Sequence, residues 1–555
     1  MLNSRPPKEF SAFTRAQSLK QLPKQKYDMA IIGAGITGAA IALHAAIAGY
    51  KVLLFDKGDF ASGTSSKSTK LVHGGLRYLE MLQFGLVHEA LTDRKILTQT
   101  AEHLVYPEPI VFPLYKNSPP GFWKLKAGLT LYDLLTFGRN LKPHEMLNTA
   151  QTLALAPQIL KKNLIGSGLF YDCATNDSRL TLATIRTAHE KGADVINYLE
   201  LKKFKRENDL FQLQLKDNST GSTTSVECRL LVSAVGAWTG EMINKNSTTQ
   251  EHKIKPSKGI HLVFDRKKLP LTHTVAITAP SDKRLMFVRP WDENFVFAGT
   301  TDDEYSGSLD DIAVTAKDID YVLQALRHNF PAQNLQTTDI ISSWAGIRPL
   351  IETATHQAKS SYKLSREHSI WQEEPGFFII SGGKLTTHRT MAFDLLSFIR
   401  KNTSSFKHVS DEETQPTLIG SCSLQEFKQN FSEKKDPPIA NELHLYHNYG
   451  SETDYILQKK SSRTTIFEHF PHIYEELDFS LQHEMVINPE DWLMRRTNLF
   501  YQMRNLNFAQ IEGLLQRMAE FLNWTKTEVN LQKQRLSNLY ADQINQAQYK
   551  NVENI

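Results

Sequence analysis

At 555 residues the chain is too long for one simple core and predicts two or three packed domains. Its 41% hydrophobic and 22% charged residues are those of a globular protein, and a formal charge of +4 speaks against nucleic acid without opposing an anionic substrate or membrane surface. Cys173, Cys228 and Cys422 are far apart, which excludes a disulfide scaffold or a CxxC metal site and fits a reducing compartment.

Residues 1–26 set Arg5, Lys8, Arg15, Lys20, Lys24 and Lys26 against the single acid Glu9, without the apolar block of a secretory signal. They predict a loose basic arm; a membrane-surface anchor and an organellar presequence are the other readings. The best apolar stretch, Ala39 to Ala48, is short and contains His44, so no bilayer-spanning helix is predicted. Tyr27 to Ile32 reads as a buried parallel strand. Gly33-Ala34-Gly35-Ile36-Thr37-Gly38 follows, then an Ala-rich helical segment to Ala48 and a second strand, Lys51 to Phe55, ending at Asp56. Gly33 permits a tight turn, Gly35 lets backbone approach a pyrophosphate, and Gly38 allows close packing of helix on strand. Asp56 can accept both hydrogen bonds of a ribose diol, and its charge disfavours a 2′-phosphate. This unit predicts a dinucleotide, either FAD or NAD.

The stretch from Ala61 to Glu80 is dense in hydroxyls, glycines and positive charge. Such groups suit a second phosphate and the polar edge of an isoalloxazine, and Lys70, His73, Arg77 and Tyr78 argue against a plain Ser/Gly linker. Asp194 to Cys228 alternates β-prone runs with polar turns, as a small β-meander would, and leads into the apolar strand Leu230 to Val235. Leu285 to Pro290 and Phe295 to Gly299 flank the turn Asp292-Glu293-Asn294 and predict a hairpin. Gly382-Gly383-Lys384-Leu385-Thr386-Thr387 precedes a helix running to about Ile399. A glycine pair opening that helix would aim its positive end at a flavin's pyrimidine edge. Asn402 to Pro416 reads as a linker; Ile511, Leu514, Leu515, Met518, Phe521 and Leu522 form a helical stripe of core character, and Gln532 to Ile555 a polar helix or tail. No HExxH, closed Cys/His quartet, EF-hand loop or GxSxG elbow occurs, so no metal is predicted.

The run from Thr64 to Glu80, TSSKSTKLVHGGLRYLE, resembles the signature of FAD-dependent glycerol-3-phosphate dehydrogenases, in the glycine-oxidase-like branch of flavoenzymes. Further blocks match in order: Leu231 to Trp238, Lys258 to Val263, Gly299 to Asp302, Ala345 to Leu350 and Gly382 to Arg389. The resemblance spans about residues 27–400, with a weaker echo at Arg495-Arg496-Thr497; His388, Ala345 and Ile347 are conservative departures from it. It implies an α/β fold: a Rossmann-like FAD-binding domain of the glycine-oxidase/glutathione-reductase-like type, an antiparallel-sheet substrate cap and a C-terminal helical domain. The implied boundaries are 27–90, 165–240 and 370–401 for FAD binding, 91–164 and 241–369 for the cap, and 402–555 for the helical domain. The cofactor it implies is FAD, held by Gly33, Gly35, Ile36, Thr37, Gly38, Asp56, Lys57, Thr64, Ser65, Ser66, Lys70, Leu71, His73, Gly74, Ala234, Gly236, Gly346, Gly383, Lys384, Leu385 and Thr386. The implied reaction is hydride transfer from sn-glycerol 3-phosphate to FAD, giving dihydroxyacetone phosphate. Electrons would pass to a membrane quinone from an enzyme on the inner face of the cell membrane, with a homodimer as one reading of its assembly.

Oxidising a secondary alcohol needs a base near the hydroxyl and a clamp on the substrate, and guanidinium forks match phosphate oxygens. By itself His261, a lone histidine in an apolar strand, reads as structural. The resemblance places it near substrate and makes it the base, with Arg77 and Lys384 holding substrate oxygens, Arg348 and Arg366 binding phosphate, and Tyr78 lining the pocket. Three rivals remain: an oxidase that reduces oxygen, an amine or amino-acid oxidase on the same fold, and a flavoprotein that binds partners without turnover. Related oxidases carry an extra inserted segment that is not obvious here. Membrane contact could use the basic arm, the C-terminal helices or the loop from Lys116 to Leu125.

Overall fold

The computed structural model describes residues 6–116, 119–138, 140–246, 253–352, 367–403, 416–432, 442–458, 464–504 and 508–548. The first apolar run forms strand Lys26–Ile32, flanked in parallel by Val52–Phe55 and Thr223–Ser233. Asp194–Ile196 extends this sheet on one side, Phe377–Gly382 and His368–Glu374 on the other. Both faces are covered, as uninterrupted apolar strands require. Met29, Ile31, Leu54 and Val232 pack under helices Ile36–Ile47, Asp177–Glu190 and His388–Asn402. Ala30, Leu53 and Leu231 face the antiparallel meander Leu199–Glu207 and Leu210–Asp217.

A second, ten-stranded sheet forms the cap. Its centre is a set of antiparallel partners, Lys253–Asp265 between Phe295–Gly299 and Ile340–Glu352. The predicted hairpin Leu285–Pro290 to Phe295–Gly299 is present, its turn tied by Asp292 Oδ1 accepting from the Asn294 and Phe295 amides. Strand Leu164–Thr175 pairs with Val105–Tyr115 in this sheet, so the return to the nucleotide domain expected at residue 165 falls instead at helix Asp177–Glu190.

The stripe Ile511, Leu514, Leu515 and Met518 lies on helix Phe508–Leu522 and is fully buried with Val263, Phe297 and Trp344 of the cap sheet. The polar segment after it continues as helix Lys526–Gln548. Most of the expected linker, residues 404–415, lies outside the described residues.

The N-terminal segment departs from the loose arm expected of it. Ser11 caps helix Ala12–Gln21, and Phe10, 2% exposed, stacks 5.7 Å from Phe60. Arg15 is buried and donates to the Asn197 carbonyl and to Asp217, at 2.7 Å for the shorter Asp217 contact. Its partners are about 200 residues away in the chain, so nothing local announced them. Among the described residues no helix is long and apolar enough to cross a membrane.

Candidate active site

Between the two sheets and the C-terminal helices lies a cavity of about 2290 Å³. A site for one small molecule occupies ~300–1,000 Å³, so this volume accommodates a dinucleotide and a substrate together. At one end it is lined by Gly33, Gly35, Ile36, Thr37, Asp56 and Lys57. Gly33 has φ +101°, and a Cβ on it would sit 2.7 Å from the Ala234 carbonyl oxygen. A Cβ on Gly38 would come within 1.9 Å of the Gly33 carbonyl oxygen, so Gly38 serves by close packing and does not itself reach the wall. Asp56 accepts from the Ala34 amide at 2.8 Å and the Gly58 amide at 2.9 Å, which fixes its carboxylate at the strand end. Burial pushes its pKa up, against the pull of those amides. Lys57 pairs with Asp310 and lies 4.9 Å over the Trp238 ring.

Further along, Thr64, Ser65, Leu71, His73, Ala234, Gly236, Gly346, Gly383, Lys384, Leu385 and Thr386 line the same cavity. Ser65 Oγ accepts from the Ile36 amide at 3.0 Å, and Thr64 donates to the Ile347 carbonyl at 2.5 Å. Thr386 Oγ1 bridges both backbone groups of His73. This run of glycine backbone, hydroxyls and a strand-end carboxylate fits an FAD.

Three residues expected to touch cofactor, Ser66, Lys70 and Gly74, are not on the cavity wall. Ser66 is buried with its hydroxyl directed to the Gly63 carbonyl. Lys70 is 1% exposed and pairs with Asp177 at 2.7 Å, because a buried ammonium needs a counter-charge more than a view of the cavity. Asp177 also accepts from the amide and hydroxyl of Ser68 and so clamps the loop. Gly74 donates to Asp172, which Arg94 and Tyr132 also hold, at 2.6 and 2.7 Å. The helix-dipole expectation also changes. Gly382 and Gly383 take left-handed backbone, but the helix starts only at His388, and Asp93 accepts from the Thr390 amide and hydroxyl in its first turn.

Two chemistry-bearing side chains, His261 and Arg348, come from one face of the cap sheet. In the antiparallel register Gly259 opposes Gly346, His261 opposes Trp344 and Gly299, and Ser257 opposes Arg348. Alternation in a strand therefore puts His261 and Arg348 on the same face. Glycine neighbours make their space: a Cβ on Gly299 would lie 2.4 Å from His261 Cδ2, and one on Gly259 2.5 Å from an Arg348 nitrogen. His261 is 1% exposed, stacks 4.8 Å from Trp344, and places Nε2 3.0 Å from Thr69 Oγ1. Burial, then the charges of Arg348 and Lys70, hold its pKa well below the ordinary histidine range. Arg348 donates to Thr300 Oγ1 at 2.8 Å and the Thr301 carbonyl at 3.1 Å, with Asp302 3.7 Å away. Tyr78 stands on the wall near two cations, Lys384 Nζ 4.0 Å and the Arg77 guanidinium 5.3 Å from its ring. Arg366 lies outside the described residues.

Sequence reasoning missed Lys67 and Tyr501, both on the wall and joined at 2.8 Å across 434 positions. It also missed Trp344 and Thr69, which flank His261; only the strand register and the loop's fold reveal them.

The family described as FAD dependent oxidoreductase matches residues 28–389, and the C-terminal domain of alpha-glycerophosphate oxidase matches residues 414–529. An aerobic glycerol-3-phosphate dehydrogenase of Staphylococcus saprophyticus is 34% identical over 536 residues, covering 93% of this chain and 95% of its own. The structure of the glycerol-3-phosphate dehydrogenase of Bacillus halodurans complexed with FAD aligns with TM-score 0.79 at 29% identity, covering 98% of this chain and 100% of that one. Glycine oxidase of Geobacillus kaustophilus, at TM-score 0.53 and 20% identity over 70% of this chain and 99% of its own, shares the fold.

Proposed function

Because the chain belongs to the FAD-dependent oxidoreductase family that includes the aerobic glycerol-3-phosphate dehydrogenases, we propose that it oxidises sn-glycerol 3-phosphate to dihydroxyacetone phosphate and passes the electrons to a membrane quinone. The observation that carries this reading is the shared sheet face of His261 and Arg348 at the cavity. FAD, when bound, supplies the two-electron acceptor. Neutral His261 takes the proton of the substrate's secondary hydroxyl at its Nε2, next to Thr69. Arg348, already oriented by Thr300 and Thr301, offers its guanidinium to the phosphate. Arg77 and Lys384, both over the Tyr78 ring, steady the remaining oxygens. Arg366 stays assigned to phosphate by the motif alone.

The test is anaerobic titration of the FAD-loaded protein with sn-glycerol 3-phosphate, read at the flavin band. Bleaching at one equivalent, recovery on a short-chain quinone and slow recovery in air are expected. Bleaching by glycine or sarcosine instead would replace the substrate, and rapid recovery in air would make the enzyme an oxidase.

A lipid surface supplies the quinone in this reading, placing the protein on the inner face of the cell membrane. The support is an apolar patch of Leu82, Trp123, Leu134 and Phe137, 72%, 75%, 66% and 73% exposed. Its segments are joined by the Lys124–Glu80 ion pair at 2.9 Å and the His88–Phe137 ring contact at 5.1 Å. The cavity reaches toward it past Pro119, Leu125, Gly128 and Leu131. Basic groups beside exposed aromatics suit an anionic lipid surface. Trp123→Ser with Phe137→Ser is expected to weaken sedimentation with anionic lipid vesicles by about tenfold or more, ~1.4 kcal/mol per tenfold. Unchanged sedimentation would move the contact elsewhere.

A further inference from the structure

We propose that His444, His472 and Glu476 form a binding site for a divalent transition metal of the zinc class in the C-terminal helical domain, apart from the cavity. One ligand atom from each lies within 4.8 Å of the other two. His444 Nε2 and Glu476 Oε1 are 2.8 Å apart, and the two imidazoles meet edge to face with centroids 4.2 Å apart. Tetrahedral coordination at ~2.0–2.2 Å sets ligand atoms about 3.3 Å from one another, so the group needs only side-chain adjustment to close on an ion.

A plainer account covers two of the three. Glu476 stands in the first turn of helix Tyr474–His483 and accepts from the Ile473 amide at 2.8 Å, and His444 is its hydrogen-bond partner. That account leaves His472 unexplained. It is 3% exposed, and neither ring nitrogen has a hydrogen-bond partner among the described residues. Buried imidazoles ordinarily find partners, and one that sets an idle ring nitrogen within 4.8 Å of a histidine nitrogen and a carboxylate oxygen is placed for an ion.

The surroundings support ligation. The Ile473 amide occupies Glu476 Oε2 and leaves Oε1 for the site, and His444 Nδ1 lies 3.1 Å from the Asn448 side-chain amide. Partners on the far atoms of ligands orient them in metal sites. Two nitrogens and one oxygen suit zinc and its neighbours, whereas calcium and magnesium take oxygen. Three protein ligands leave a fourth position for water, and the partly exposed side of His444 gives an ion its entry. His444 sits on helix Glu442–Tyr449, so the ion would tie that helix to Tyr474–His483 across residues far apart in the chain. Spacing in the sequence does not announce this group, because its members come from two helices and the segment before one of them.

The test uses full-length, FAD-loaded protein stripped with a chelator and titrated with zinc chloride against a chromophoric chelator. One equivalent is expected to bind tightly and to raise the thermal midpoint, with affinity falling at least ~100-fold in His472→Ala and in His444→Gln. The partly exposed His444 serves if the buried variant does not fold. Zinc binding that is equal in wild type and His444→Gln, or no stoichiometric binding at all, overturns the site.

Discussion

His261→Ala is expected to slow anaerobic flavin reduction by glycerol 3-phosphate ~10²–10⁴-fold while FAD stays bound, the loss typical of removing a general base. His261 is not among the residues assigned to hold FAD, so the flavin spectrum serves as the control. The pH profile makes the test sharper. Burial, with Arg348 and Lys70, lowers the imidazole pKa, so the neutral, proton-accepting form persists as pH falls past the ordinary value of about 6.5. Wild-type reduction is therefore expected to stay flat through that region and to decline only at lower pH. A variant within threefold of wild type, or a wild-type profile that breaks near 6.5, would sink the assignment of His261 as base.

Asp59→Ala is expected to cost ~3–5 kcal/mol of stability and to loosen the C-terminal helices from the nucleotide domain. Asp59 is 1% exposed and accepts from Arg495 at 2.5 Å and from Arg496 at 2.6 and 3.0 Å, while Asn197 donates to it at 3.0 Å. Removing it leaves two buried guanidiniums short of charge; Asp491 pairs directly with Arg495 at 2.6 Å, while Arg496 keeps only the longer-range pull of Asp491 and Glu484. Burial opposes ionisation of Asp59, but Arg496 and Arg495 prevail and hold its pKa well below the usual carboxylate range. A lowered folded pKa means that this stabilisation is present above the unfolded value of about 3.9 and fades only as pH falls toward the folded one. Urea unfolding at neutral pH and near pH 4 should show the wild-type advantage at both. A change under ~1 kcal/mol at neutral pH would mean that the network is dispensable.

The same contrast separates what could be read locally from what could not. Lys70 and Arg77 stood in one motif and were read alike, as groups facing the ligands. Arg77 lines the cavity, but Lys70 is turned inward to Asp177, whose sequence position is 107 residues away. Ser66 and Gly74 likewise spend their hydroxyl and amide on the Gly63 carbonyl and on Asp172, since a loop's spacing says which residues are near a ligand and its fold says which way each polar group points. The N-terminal arm read as loose because its anchors, Asn197 and Asp217, lie in the second half of the nucleotide domain.

By itself the sequence determined the nucleotide unit, the strand carrying His261, the hairpin and the helical stripe. These rest on period, glycine position and side-chain bulk, which act over a few residues. Only the tertiary structure decided that His261 and Arg348 share a sheet face, that glycines clear room for both, and that Tyr501 reaches Lys67. Those facts depend on strand register and on buried charges choosing partners hundreds of residues away, a choice made by desolvation and geometry when the chain is already compact.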